Sequence, residues 1–159
     1  MPRVLIVDDH ASLRRGLRAL LEMHPGWECC AEADSGEEAI RVAEECKPDA
    51  IIMDVSMPGI GGLRATKIIC EASPTARVVL LTFHKSTELV RAGLSAGALG
   101  YVLKSDSEPE LIEALETVTR GGTYITRSIS SSAVAKIVDE IKQTRSVAKA
   151  GAKVGSSQS

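Results

Sequence analysis

Four apolar runs in this chain each end in a residue able to do chemistry. Val4-Leu5-Ile6-Val7 ends in Asp8 and Asp9, Ala50-Ile51-Ile52-Met53 in Asp54, Val78-Val79-Leu80-Leu81 in Thr82, and Gly100-Tyr101-Val102-Leu103 in Lys104. Three carboxylates gathered at one edge make a site for Mg2+, a hard cation that takes one or two carboxylates and completes its shell with water and phosphate oxygens. An aspartate can also act as a covalent nucleophile toward phosphorus. A lysine and a hydroxyl beside it would neutralise and bond the phosphoryl oxygens, and such transfers need little more than positioning and electrostatic stabilisation. Taken singly, each acid could be a helix N-cap. An adjacent acid pair, a lone acid and a lone lysine at the ends of separate core strands are much harder to explain as structure alone.

The elements that would carry these residues follow from periodicity. Strand-like runs near 3–7, 28–33, 49–54, 77–82 and 99–103 alternate with helical patterns near 11–23, 36–46, 61–72, 86–96 and 107–120. In the first helix Leu13, Leu17, Leu20 and Leu21 form one apolar face, with Arg14, Arg15 and Arg18 around it. Ser35 and Glu38 have the spacing of a capping box, and Pro48 and Pro74 mark the ends of the second and third helices. Continuous apolar strands between helices predict a doubly wound α/β fold with a five-stranded parallel sheet covered on both faces. Ligands of such sheets bind beyond the carboxyl ends of the strands, where the polar residues named above fall.

The chain of 159 residues is long enough for one well-buried domain. Its formal charge of −2 leaves no overall basic footprint for nucleic acid, although residues 1–126 carry 13 Lys and Arg against 19 Asp and Glu, and the remainder 6 against 2. No apolar run approaches the length of a membrane span, and a strand begins within three residues of Met1, so neither a signal peptide nor a membrane contact is expected and the location should be cytoplasmic. Cys29, Cys30, Cys46 and Cys70 lack the spacing of zinc or redox sites and read as reduced, buried thiols. His10, His24 and His84 do not form a histidine metal cluster. His10 reads as a polar residue at the start of a helix, and Trp27 as packing at the start of the second strand. No glycine follows His10 three residues on, which disfavours a cobalamin signature, and the acidic loop disfavours a flavin phosphate.

Residues 2–122 resemble the receiver domain of two-component response regulators. The resemblance lies in Val4-Leu5-Ile6-Val7-Asp8-Asp9-His10, Ile52-Met53-Asp54-Val55-Ser56-Met57-Pro58-Gly59, Leu80-Leu81-Thr82 and Gly97-Ala98-Leu99-Gly100-Tyr101-Val102-Leu103-Lys104. It implies a flavodoxin-like strand order 2-1-3-4-5. Asp54 is then the phosphoacceptor served by a sensor histidine kinase, and Asp8, Asp9, Asp54 and the Ser56 backbone carbonyl hold Mg2+. Thr82 and Lys104 contact the phosphoryl group. Tyr101 is the switch aromatic, turning toward the core as phosphorylated Asp54 draws Thr82 inward and reshaping residues 84–105, with a homodimer favoured. Pro58-Gly59 suits a tight loop, although an ordinary turn would read the same way. Tyr101 should project to the face opposite Val102, near the sheet edge. Ser105 departs from the proline found in many receivers, and the isomer of the Lys104-Ser105 bond stays open. Phe83 and His84 stand where they could restrict access to the site.

Leu111-Ile112-Glu113-Ala114-Leu115-Glu116 and Gly121-Gly122-Thr123-Tyr124-Ile125 resemble the NarL/FixJ branch, whose members continue into a helix-turn-helix DNA-binding domain. Here residues 1–122 are expected to form the receiver, 123–145 a linker with an extra C-terminal helix bearing Ile129, Ala133, Ile137 and Ile141, and 146–159 a disordered tail. DNA would be reached only through an output domain that this chain lacks. Two arrangements stay open, a chain ending in the linker before that domain and a stand-alone receiver acting by protein contact. The alternative from another class is a small Mg2+-dependent phosphatase or phospho-aspartyl hydrolase, disfavoured because Ser56 stands where one such family carries a second acid. The resemblance implies a signalling receiver, not an enzyme: one that promotes its own phosphorylation and can promote its own dephosphorylation without turning over external substrates.

Overall fold

The computed structural model describes residues 2–106, 108–129 and 131–157, with side chains described as far as 144. Strands β1 (Arg3–Val7), β2 (Glu28–Ala33), β3 (Ala50–Asp54), β4 (Val78–Thr82), β5 (Gly100–Leu103) and β6 (Tyr124–Ile125) alternate with helices α1 (Ala11–Glu22), α2 (Gly36–Cys46), α3 (Gly61–Ala72), α4 (Thr87–Ala96), α5 (Glu108–Thr119) and α6 (Ser131–Ser157). All neighbouring strands pair in parallel, in the order β2-β1-β3-β4-β5-β6. This is a flavodoxin-like α/β fold, with one strand more than the five expected.

The two-residue period of a strand sends alternate side chains to opposite faces, and each face has its own core. Leu5, Val7, Ile51, Met53, Leu80, Tyr101 and Leu103 pack with α2, α3, α4 and α6. Val4, Ile6, Ile52, Val79, Leu81 and Val102 pack with α1 and α5. Tyr101 and Val102 therefore part to opposite faces as expected. The central strands β3, β4 and β5 are buried along their whole length, which is why they read as unbroken apolar runs.

The sixth strand corrects the expected sheet. Tyr124 N–H donates to the Leu99 carbonyl and Thr126 N–H to the Tyr101 carbonyl, both at 2.9 Å, so β5 is not an edge. Once α5 has crossed back over the sheet, the unpaired groups of β5 offer the next segment a ladder, and two residues suffice to take it. Two residues are too few to register as a period. The extra helix also differs from expectation: α6 begins at Ser131 rather than 127 and runs on past 145 into the stretch expected to be disordered. Val147, Ala148, Lys149, Ala150 and Ala152 there include good helix formers, which a compositional argument for disorder discounts. Ile129 and Ile137 are buried on the α4 side of the sheet, with Val134, Val138 and Ile141 beside them, and Arg91 of α4 pairs with Glu140 at 3.2 Å. The four cysteines form no disulfide and are half-buried, not fully buried, and desolvation raises the Cys29 and Cys30 thiols above their ordinary pKa.

Candidate functional site

Because β1 and β3 are sandwiched between helices, Asp8 just past the end of β1 and Asp54 at the end of β3 carry charge into the protein. Asp8 and Asp54 are each only 1% exposed, while Asp9, one residue further out, is about a quarter exposed. Two buried acids side by side repel one another and lose hydration, so the fold must offset them. Lys104 does so. Its N–H extends the ladder by one bond to the Thr82 carbonyl, at 2.8 Å, and its side chain turns back so that Nζ lies 3.0 Å from Asp54 Oδ1 and 3.1 Å from Asp8 Oδ2. The same ammonium sits 5.1 Å from the centroid of the exposed Phe83 ring, a cation–π contact at the mouth of the site.

Burial, the largest influence, pushes the Asp54 carboxyl above its ordinary pKa; the Lys104 hydrogen bond pulls it back, the Asp8 charge pushes it up again, and the Ser56 N–H at 3.3 Å pulls it down. The two oxygens of Asp54 are thereby distinguished. Oδ1 has Lys104 and Ser56, whereas Oδ2 is enclosed and has no hydrogen-bond partner. Asp9 Oδ1 is similarly without a hydrogen bond, although His10 Nδ1 lies 3.1 Å away. Buried acceptors without donors in one acidic cluster suit a cation. One ligand atom from each of Asp8, Asp9, His10 and Asp54 lies within 4.8 Å of the others.

The loop after β3 is shaped by close approach. At Gly62 a Cβ would fall 2.0 Å from the Asp54 carbonyl oxygen, so only glycine lets α3 start against the end of β3. Gly59 has φ +82°, and the N–H of the next residue, Ile60, donates to Glu37 Oε1 at 2.8 Å. That bond comes first among the influences lowering the Glu37 pKa.

Thr82 is 1% exposed, and its Oγ1 accepts from the His84 N–H at 3.1 Å, which leaves the hydroxyl proton to be donated. Tyr101 is expected to turn inward on phosphorylation. Instead it is already inside, 1% exposed, with its hydroxyl donating to the His84 carbonyl at 2.7 Å, and burial raises its phenol pKa. No peptide bond among the described residues is cis, so Lys104-Ser105 is trans.

Two features escaped the sequence. His10 is the N-cap residue of α1, but its side chain makes no cap bond and faces the carboxylates instead. Its position directly after the acid pair was the available signal. Further along, buried Glu110 gathers Tyr124 Oη at 2.7 Å, Arg127 N–H at 2.9 Å and Thr126 Oγ1 at 3.2 Å, while Thr126 also bonds Asp106. No spacing rule announces a glutamate that ties α5 to the segment after β6.

The family model described as response regulator receiver domain matches residues 4–116. Response regulator GacA of Pseudomonas viridiflava is 40% identical over 136 residues, covering 86% of this chain and 64% of the relative. Response regulator UvrY of Escherichia coli is 38% identical, covering 82% and 60%. The chain thus spans less than two thirds of the length of these relatives. Among solved structures, a two-component response regulator of the LuxR family from Aurantimonas sp. aligns with a TM-score of 0.78 at 36% identity, covering 88% of this chain and 97% of that one.

Proposed function

The chain belongs to the response regulator receiver domain family, and from that membership and the carboxylate cluster we propose that Asp54 takes a phosphoryl group from a sensor histidine kinase. The observation that carries the assignment to Asp54 is its enclosed Oδ2 without a donor, beside Lys104 at 3.0 Å from Oδ1. In the transfer an Asp54 oxygen attacks phosphorus, the bond to the donor imidazole nitrogen breaks, and the imidazole leaves with the electron pair. Asp8, Asp9, Asp54 and the Ser56 carbonyl would hold Mg2+. Bound there, Mg2+ supplies positive charge against the phosphoryl oxygens. Lys104 shifts its ammonium from the carboxylates to those oxygens, and Thr82 donates its hydroxyl to them. Phe83 restricts water at the mouth of the site.

The switch follows from shared bonds. Thr82 and Tyr101 both hold His84, so a Thr82 hydroxyl drawn to a phosphoryl oxygen loosens the 83–86 loop that leads into α4. Since Tyr101 is already buried, phosphorylation acts on a population in which the aromatic is inside, shifting an equilibrium without building a new fold. Residues 1–122 are the receiver proper, followed by β6 and α6. Phosphorylation would favour a homodimer, and DNA would be reached only through an output domain, in keeping with the Brevibacillus brevis relative named transcriptional regulatory protein DegU. The phosphatase alternative draws no support from the family match. Incubation with a phosphorylated histidine kinase tests the proposal: label should pass to this chain in Mg2+ and not to Asp54→Asn, and label of equal yield on that variant would refute it.

A further inference from the structure

We propose that His10 is a ligand of the cation site and tunes it toward divalent ions that accept imidazole, such as Co2+ and Ni2+, relative to Mg2+. The inference rests on the assignment of a divalent cation to Asp8, Asp9 and Asp54. His10 is held beside that cluster by its main chain, since its N–H donates to Asp8 Oδ1 at 2.9 Å and its carbonyl accepts from Arg14 N–H at 3.1 Å. The ring nitrogen Nδ1 stands 3.2 Å from Asp8 Oδ1 and 3.1 Å from Asp9 Oδ1, on the side of the acids that carries the unbonded Asp9 oxygen. The side chain performs no capping for α1 and is 62% exposed, so small rotations about its side-chain bonds cost little packing.

The donor set decides what such a ring does. Mg2+ prefers oxygen ligands and keeps several waters, so the three carboxylates, a carbonyl and water satisfy it with the imidazole left outside. Co2+ and Ni2+ bind imidazole well and stand higher in the series of divalent affinities, so for them His10 replaces a water. A purely electrostatic role for the ring would affect all divalent ions alike. A ligand role affects only those that take nitrogen.

Calorimetric titration of the full chain and of His10→Ala with Mg2+, and separately with Ni2+, tells these apart. The variant removes an exposed ring and no cap bond, and His24 and His84 remain in it. The ligand role predicts that Ni2+ affinity falls roughly tenfold or more while Mg2+ affinity stays within about twofold. It also predicts, with Co2+ bound, a paramagnetically shifted exchangeable imidazole proton in the native chain and none in His10→Ala. Equal losses for Mg2+ and Ni2+, or a shifted proton that survives the substitution, would overturn the role of His10. Failure of Asp9→Ala to weaken any of the three ions would instead sink the cation site on which it rests.

Discussion

Tyr101 donates its hydroxyl hydrogen bond to the main-chain carbonyl of His84, 2.7 Å away, while the N–H of that same His84 is held by Thr82 at 3.1 Å. One loop residue is thus clasped by the candidate site on one side and by a core aromatic on the other. Tyr101→Phe keeps the packing and removes only the clasp, so stability should fall by about 0.5–1.5 kcal/mol, the net worth of one hydrogen bond. Amide exchange should quicken at 83–88 and stay unchanged in β1. Urea unfolding and exchange mapping check both, and uniform exchange across the domain would contradict the local coupling.

Lys104 offsets two buried carboxylates. Without a cation, Lys104→Ala leaves that charge uncompensated and should cost about 3–5 kcal/mol. Added Mg2+ would replace the missing positive charge, so the variant should gain more from Mg2+ in a thermal melt than the native chain does. A smaller gain would show that the ion does not bind between these acids.

Glu110 supplies the pH dependence. Burial works against its ionised form, but hydrogen bonds from Arg127 N–H, Tyr124 and Thr126 outweigh that and hold its pKa below the ordinary carboxylate value. A depressed folded-state pKa means the contribution is complete above the unfolded value and is lost as the pH falls through the folded one. Glu110→Gln should therefore be less stable near neutrality by about 1–3 kcal/mol and approach the native chain in acid. Denaturant midpoints against pH for the two chains check this; a gap that widened in acid would reverse the sign.

Helix α6 is predicted to be part of the folded unit. Ile137 is 2% exposed against the α4 side of the core, so Ile137→Ala should cost about 2–5 kcal/mol. The half-exposed Arg91–Glu140 pair is a different matter, and Arg91→Ala should cost under about 1 kcal/mol. Unfolding curves for both variants would show whether α6 unfolds with the sheet; a negligible effect of Ile137→Ala would place it outside.

What the sequence disclosed followed from strong local patterns. Strands β3 and β4 are buried on both faces, so their composition stated their type, and the residues ending β1, β3, β4 and β5 were legible because the runs stopped at them. Strand β6 was not, since a two-residue strand exists only through the ladder that β5 offers. His10 reads from the sequence as a polar residue at a helix entry, and nothing in that reading shows that its ring faces the Asp8 and Asp9 carboxylates. The hydroxyl of the inward Tyr101 bonds a loop carbonyl, a pairing that no alternation of side chains encodes.

Intact-protein mass after incubation with acetyl phosphate tests the central claim most directly. With Mg2+ the native chain should gain one phosphoryl mass, mapped to the peptide containing Asp54, and should gain none after chelation of the metal. Asp54→Asn should gain none under either condition. A phosphoryl mass on that variant, or one on the native chain that maps away from Asp54, would contradict the account.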